Sequence, residues 1–333
     1  MDEEMNVLVT GGTGFIGSAL VRQLLKEGNR VGILVRDETK LDASLRKNVE
    51  MYKADISNLA SLELFYASIK DNIDIMFHLA ACIDYKATKE KLFQTNVGGT
   101  LNLLNLIVKH RIKKFVFVSS IEAIGPIKKE DIPADETYSC QPINFYGESK
   151  LEAEKQVIRF GDKREIGTVI LRLGNVYGPG SLSFISSISN AILSRNKEWL
   201  YSNRNRYLWH PGYIEDVIDG IMKATATKKS NDIYILAGAE HVTVGVLSQL
   251  ISQELGIDIR TLELNKVKKL YLNLRRKVRK FRYCFKNGNK KRTYWVYSIE
   301  KAKKELGYSP KVSLRNGIAK TIEWAKKEGL LTK

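Results

Sequence analysis

Apolar positions along the chain switch between two periods. "MNVLVT" is a short run, rich in apolar and β-branched residues, that ends at glycines, as a buried parallel strand does. "FIGSALVRQLLKEGN" then sets Ile16, Leu20, Leu24 and Leu25 at helical spacing, and Gly28-Asn29 closes the pattern. "RVGILVR" reads as the next strand, giving a β-α-β unit with a glycine-rich first turn. Further strands are predicted at "FHLAA", "KKFVFVSS" and "GTVILRLGNVYGPG", and "NDIYILAGAEHVTVGVLSQLISQELG" reads as a late strand, a turn and a helix. In "TNVGGTLNLLNLIVKH", Asn96 opens a helix with Leu101, Leu104 and Ile107 facing inward, as a cap does. The pattern predicts an α/β fold, a doubly wound parallel sheet with helices on both faces.

Composition narrows the class. The 333 residues are 44% hydrophobic and 27% charged, which allows a sizeable core. No apolar run reaches the length of a membrane-spanning helix, and "MDEEMN" is not the start of a secretory signal. Cys82, Cys140 and Cys284 are scattered and not at metal-ligand spacing. They read as reduced thiols of a cytoplasmic protein without a metal site.

The net charge of +17 suggests nucleic acid only until it is located. Between Leu264 and Ile299 there is no Asp or Glu, and Lys266 to Arg292 hold thirteen Lys and Arg. Leu264, Val267, Leu270, Leu274, Val278 and Phe281 recur there at steps of three or four. The segment 264–292 is a basic amphipathic helix. Three roles stay open: docking on the protein with a solvated basic face, lying on an anionic membrane surface as a peripheral anchor on its inner face, or covering an anionic ligand. Tyr271, Tyr283 and Trp295 sit among the charges, but no RNA-binding motif accompanies them, so a nucleic-acid partner is not expected.

"VTGGTGFIG" carries Gly11, Gly14 and Gly17 between the first strand and helix. Gly11 permits a tight turn, Gly14 lets a pyrophosphate approach bare backbone, and Gly17 lets the helix pack closely. Free N–H groups at the helix start favour phosphate. At the tip of the second strand Arg36 precedes Asp37. An Arg there pairs with a ribose 2′-phosphate, so NADP is favoured over NAD, the other reading being a solvated Arg36 with Asp37 on the ribose. Downstream, "KKFVFVSS" ends in Ser119-Ser120, and "YGESK" places Tyr146 and Lys150 one helical turn apart. A Lys ammonium beneath a phenol lowers its pKa, and the phenol can then exchange a proton with a secondary alcohol.

The T-G-x-x-G-x-x-G turn, the serine pair and Tyr-x-x-x-Lys together resemble the extended short-chain dehydrogenase/reductase superfamily, the NAD-dependent epimerase/dehydratase group. "SSIEAIGP" looks like its 3β-hydroxysteroid dehydrogenase/dihydroflavonol reductase-like branch. The resemblance covers nearly all of the chain and implies a Rossmann-type cofactor domain over 1–175, to which later strands from about 209–245 return, and a smaller, mainly substrate-binding region over 176–333. It implies Ser120, Tyr146 and Lys150 as the catalytic set, Ser120 being placed by counting back from Gly125. For the cofactor it implies contacts from Phe15 and Ile16 beside the glycines, Asp55 and Ile56 at the adenine, Leu79, Ala80 and Ala81 at a strand end, and Leu173 and Val176 near the nicotinamide. Asn175 and Glu122 are implied at the substrate, and Asn96, if not a simple cap, as a polar residue that steadies the central helix near the active site. Asp216 is the acid of "WHPGYIEDVIDGIMKA", and His210 there reads as rim packing. Ile121 stands where a dehydratase carries its general acid, which argues against elimination of water. No Asp accompanies Lys286, Lys290 and Arg292 in "KNGNKKRTYW", a departure from the sugar-nucleotide epimerases. The function expected is hydride transfer to or from a secondary alcohol or ketone of a small-molecule substrate, lipid-like or a sugar nucleotide. The alternatives are a UDP-sugar 4-epimerase using the same triad and a non-catalytic dinucleotide sensor or assembly factor. A homodimer is expected by analogy.

Overall fold

Seven strands build the central sheet of the computed structural model. The structure describes residues 4–69, 72–109, 112–164, 166–181, 185–204, 208–227, 230–273 and 294–331. In chain order the strands are β1 (Asn6–Thr10), β2 (Arg30–Val35), β3 (Glu50–Lys53), β4 (Ile75–His78), β5 (Lys114–Ser120), β6 (Gly167–Leu173), β7 (Asn175–Tyr177), β8 (Leu208–Trp209), β9 (Pro211–Tyr213), β10 (Asp232–Leu236) and β11 (Val242–Thr243). The sheet order is β10-β6-β5-β4-β1-β2-β3, with every neighbouring pair parallel. The chain leaves β1 in one direction for β2 and β3, then returns to β4 on the other side. That reversal opens a crevice at the strand ends between β1 and β4.

Both faces of the sheet are covered, which is why its strands read as apolar runs. Val7, Val9, Val116, Val118, Val169 and Leu171 point to one face. Leu8, Met76, Phe115, Phe117 and Ile170 point to the other, following the period of two along a strand. The first face packs against helices Phe15–Lys26 and Ile214–Thr225 and shares its core with Ile318 and Ile322 near the C-terminus. The second packs against Leu59–Ser68, Gly99–Lys109 and Phe145–Arg164, through Leu62, Leu104 and Val157 among others.

Several expectations shift. From the stretch 209–245 only Asp232–Leu236 joins the central sheet, while Pro211–Tyr213 pairs with β7 and Val242–Thr243 with β8. Asn96 does not open a helix. The helical run starts at Lys89, capped by Thr88, and Asn96 sits inside a π-helical turn at Gln94–Gly98. Leu101 is 37% exposed, because Thr100 takes the inward position beside Leu103, Leu104 and Ile107.

Most of the basic amphipathic segment, residues 274–293, lies outside the described residues, as do Lys286, Lys290, Arg292 and Cys284. In the described part Leu264 is buried, but Val267 and Leu270 are 77% and 61% exposed. Those two side chains therefore do not pack on the described protein, as the docked reading required. Cys82 and Cys140 are free thiols. Among the described residues no helix is long and apolar enough to cross a membrane, and no acidic, His or Cys cluster could hold a metal ion.

Candidate active site

The crevice at the strand ends is a cleft of about 570 Å³, within the usual range for a small-molecule site. Its wall begins at the glycine turn. Gly11 adopts φ +76°, a left-handed conformation natural to glycine, and a Cβ there would lie 2.6 Å from the Ala80 nitrogen. A Cβ on Gly17 would collide with the Gly11 carbonyl. The close packing made by Gly17 is thus against the turn itself rather than the strand. Gly14 precedes the helix in extended conformation, with its N–H bonded to the Gly11 carbonyl at 3.0 Å. Phe15 and Ile16 line the cleft at the helix start.

Arg36, Asp55 and Ile56 line the same cleft farther along the sheet, and Leu79, Ala80 and Ala81 line it at the end of β4. Arg36 is exposed beyond the tip of β2. Asp37 is not among the lining residues. Its carboxylate accepts from the Thr39 N–H at 3.0 Å and the Thr39 hydroxyl at 2.6 Å, capping a short helical turn. The Asp55 carboxylate accepts from the Ser57 N–H and hydroxyl at 2.9 and 2.7 Å. Burial raises its pKa, but those bonds and the charge of Arg36 outweigh it and leave the carboxyl below its ordinary value.

Ser120, Glu122, Tyr146, Lys150, Leu173, Asn175 and Val176 line the other arm of the cleft. β5 delivers Ser120, and helix Phe145–Arg164 delivers Tyr146 and Lys150. Asn144 caps that helix, its side-chain oxygen accepting from the Gly147 N–H at 2.8 Å. Lys150 is 2% exposed. Its ammonium donates to the Val118 carbonyl at 2.8 Å and stands 4.1 Å from the centre of the Phe117 ring. Burial pulls its pKa down to about 7, opposed by the Glu154 carboxylate.

The Tyr146 phenol differs from expectation. Its pKa is pushed above the ordinary value, chiefly by burial and then by the Glu122 charge, with a hydrogen bond from Ser120 acting the other way. Lys150 adds no lowering to it, and the Lys150 ammonium donates to the Val118 carbonyl.

Sequence reasoning missed the polar frame around the phenol. Glu122 accepts a short hydrogen bond from the Tyr85 hydroxyl and another from the Asn144 amide at 2.6 Å. The Tyr85 and Tyr146 rings meet edge to face, 5.8 Å between centres. Tyr85 and Asn144 lie in loops with no periodic signal. The one available cue was Asn144 as a cap candidate two residues before Tyr146. Asn96 ties the π-turn to helix Phe145–Arg164. It accepts from the Cys82 N–H at 2.7 Å and donates to the Cys82 carbonyl at 3.0 Å and the Ser149 hydroxyl at 2.9 Å.

Two other conspicuous residues lie away from the cleft. His210 is buried, with a ring nitrogen 2.8 Å from the Gly238 carbonyl, so it packs inside rather than at a rim. The Asp216 carboxylate accepts from the N–H groups of Lys311 and Val312 at 2.9 and 3.1 Å, which pins the C-terminal segment.

The chain is 26% identical to a sterol-4-alpha-carboxylate 3-dehydrogenase, decarboxylating, of Candida albicans, over 96% of this chain and 97% of that protein. It is 26% identical to a putative UDP-glucose 4-epimerase of Methanocaldococcus jannaschii, over 96% and 98% of the two chains. The fold superposes on a UDP-glucose 4-epimerase of Thermotoga maritima, solved with UDP-glucose, with a TM-score of 0.78 and 26% identity over 97% and 99% of the chains. The profile of the NAD dependent epimerase/dehydratase family matches residues 7–237. The chain belongs to that family, an enzyme family of the extended short-chain dehydrogenase/reductase superfamily that works with a nicotinamide dinucleotide.

Proposed function

We propose that the protein moves hydride between nicotinamide C4 and a secondary alcohol carbon of a small molecule, with Tyr146 as the acid/base, Ser120 polarising the substrate oxygen and Lys150 holding the nicotinamide ribose. The observation that carries this reading is the continuity of the cleft from Gly11, Gly14 and Gly17 to Ser120, Tyr146 and Lys150. The residues fit a dinucleotide. Backbone at Gly11 and Gly17 is packed too closely for any side chain, and the helix start at Phe15 offers free N–H groups to a pyrophosphate. When bound, the dinucleotide supplies the hydride donor or acceptor, and this chain's residues orient the reactants and manage the proton.

NADP is the cofactor proposed. Arg36 lines the cleft, while the Asp37 carboxylate is held by Thr39. An exposed guanidinium at that point suits a 2′-phosphate better than a ribose hydroxyl.

The substrate is a secondary alcohol, lipid-like or carried on a sugar nucleotide. The 4-epimerase reading is favoured by the full-length likeness to proteins named UDP-glucose 4-epimerase. It uses the same triad, with hydride returned to the opposite face. Incubation with UDP-glucose and, separately, with a 3β-hydroxysteroid and NADP separates the two. Formation of UDP-galactose without net cofactor reduction supports the epimerase, and net NADPH formation supports the dehydrogenase. A Tyr146→Phe protein that keeps the activity of either reaction overturns the triad.

The peripheral membrane role proposed for 264–292 draws on its composition and on the exposed Val267, Leu270 and Tyr271. Sedimentation with phosphatidylserine vesicles, and not with phosphatidylcholine vesicles, is the expected result.

A further inference from the structure

Beneath the cleft lies a buried ion pair whose two side chains do not line it and which meets the lining at Ser119. Arg172 and Glu154 meet at 2.7 Å, with side chains 4% and 1% exposed. The Arg172 Nε donates to both carboxylate oxygens at 3.1 and 3.2 Å. The Ser119 hydroxyl donates to the same carboxylate at 2.5 Å. The remaining guanidinium contacts reach the Glu136 carbonyl at 3.3 Å and the Cys140 sulfur at 3.4 Å. Ser119 adjoins Ser120, Arg172 adjoins Leu173, and Glu154 follows Lys150 by one helical turn. Three elements that carry the proposed triad and the nicotinamide wall are therefore joined at one point.

We infer that Glu154 is a positioning residue for the triad: paired with Arg172 and Ser119, it registers the Tyr146–Lys150 helix against β5 and β6 and keeps the Lys150 side chain charged. This rests on the reading of the triad given above. A buried pair of this kind is weak evidence for a stabilising role, since apolar pairs of similar volume often serve as well. The energetic return is specificity of geometry and charge instead. Among the described residues the groups facing Lys150 are few. They are the Val118 carbonyl, the Phe117 ring, the neutral His78 imidazole across β4, Tyr146 a turn earlier and Glu154 a turn later. Glu154 is the one carboxylate among them.

The test reads the charge of Lys150 without turnover, so it stands apart from the identity of the substrate. The purified full chain is labelled with acetic anhydride across a pH series, and acylation of Lys150, whose side chain reaches the cleft, is followed by mass spectrometry. Glu154→Gln is expected to move the midpoint for Lys150 down by about one pH unit, a ten-fold loss of ammonium at a given pH. Glu152→Gln removes a half-buried carboxylate of the same helix, paired with Lys155, and is expected to leave it in place. Where Glu154→Gln fails to fold, because Arg172 is left as a buried cation, E154M/R172M removes both charges and is expected to show a smaller shift in the same downward direction. An unchanged midpoint in the folded variant, or an equal shift in Glu152→Gln, overturns the inference.

Discussion

The Lys150 ammonium donates to the Val118 carbonyl from within the triad helix, crossing to the strand that ends in Ser120. Burial holds this group down to about 7. Activity that needs the charged lysine is therefore expected to fall as pH rises through about 7. Stability should move the other way. Between about 7 and the ordinary value of 10.5 the unfolded chain holds the proton more tightly. Wild-type stability relative to Lys150→Met is then expected to rise with pH, by at most about 1.4 kcal/mol per unit, and to be flat below that window. Denaturant titrations of both proteins at several pH values check the sign.

Glu122 and Ser120 act on Tyr146 in opposite directions. Glu122→Gln is expected to shift the limb of the pH–rate profile governed by the phenol to lower pH by about one unit, and Ser120→Ala to shift it upward. Shifts of the same sign in both variants contradict this arrangement.

The glycine turn separates stability from binding. A Cβ on Gly17 meets the Gly11 carbonyl, whereas on Gly14 its nearest neighbour is 3.3 Å away. Gly17→Ala is expected to lose about 1–3 kcal/mol of stability along with cofactor binding. Gly14→Ala should keep its melting temperature near that of wild type and lose NADPH affinity. Thermal melts and NADPH fluorescence titrations distinguish them.

Arg36→Ala is expected to weaken NADPH binding about 10- to 100-fold, the worth of charge-assisted hydrogen bonds to a phosphate, with little effect on NADH. Equal losses for both cofactors would place the guanidinium away from the 2′ position.

Much of this was legible in the sequence, where each element carried its own local signal. The strand–glycine–helix start, the serine strand end and the Tyr-x-x-x-Lys turn are short patterns whose geometry is fixed by backbone periodicity. The frame around them was not legible. Tyr85, Glu122 and Asn144 converge from separate loops, and Glu154, Arg172 and Ser119 from three elements of the fold. Such partners are set by tertiary packing, which has no period. Leu101 failed for a related reason. Its spacing from Leu104 and Ile107 is helical, but the sheet selects the face centred on Leu103, and Thr100 is the buried neighbour.

The most direct measurement follows deuterium from the nicotinamide C4 of labelled NADPH into a carbonyl acceptor, a UDP-4-ketosugar or a 3-ketosteroid, with wild-type and Tyr146→Phe proteins that bind NADPH equally. The account predicts label in the product of the wild type and transfer at least about 100-fold slower in the variant. Transfer at equal rates by the two proteins would contradict it.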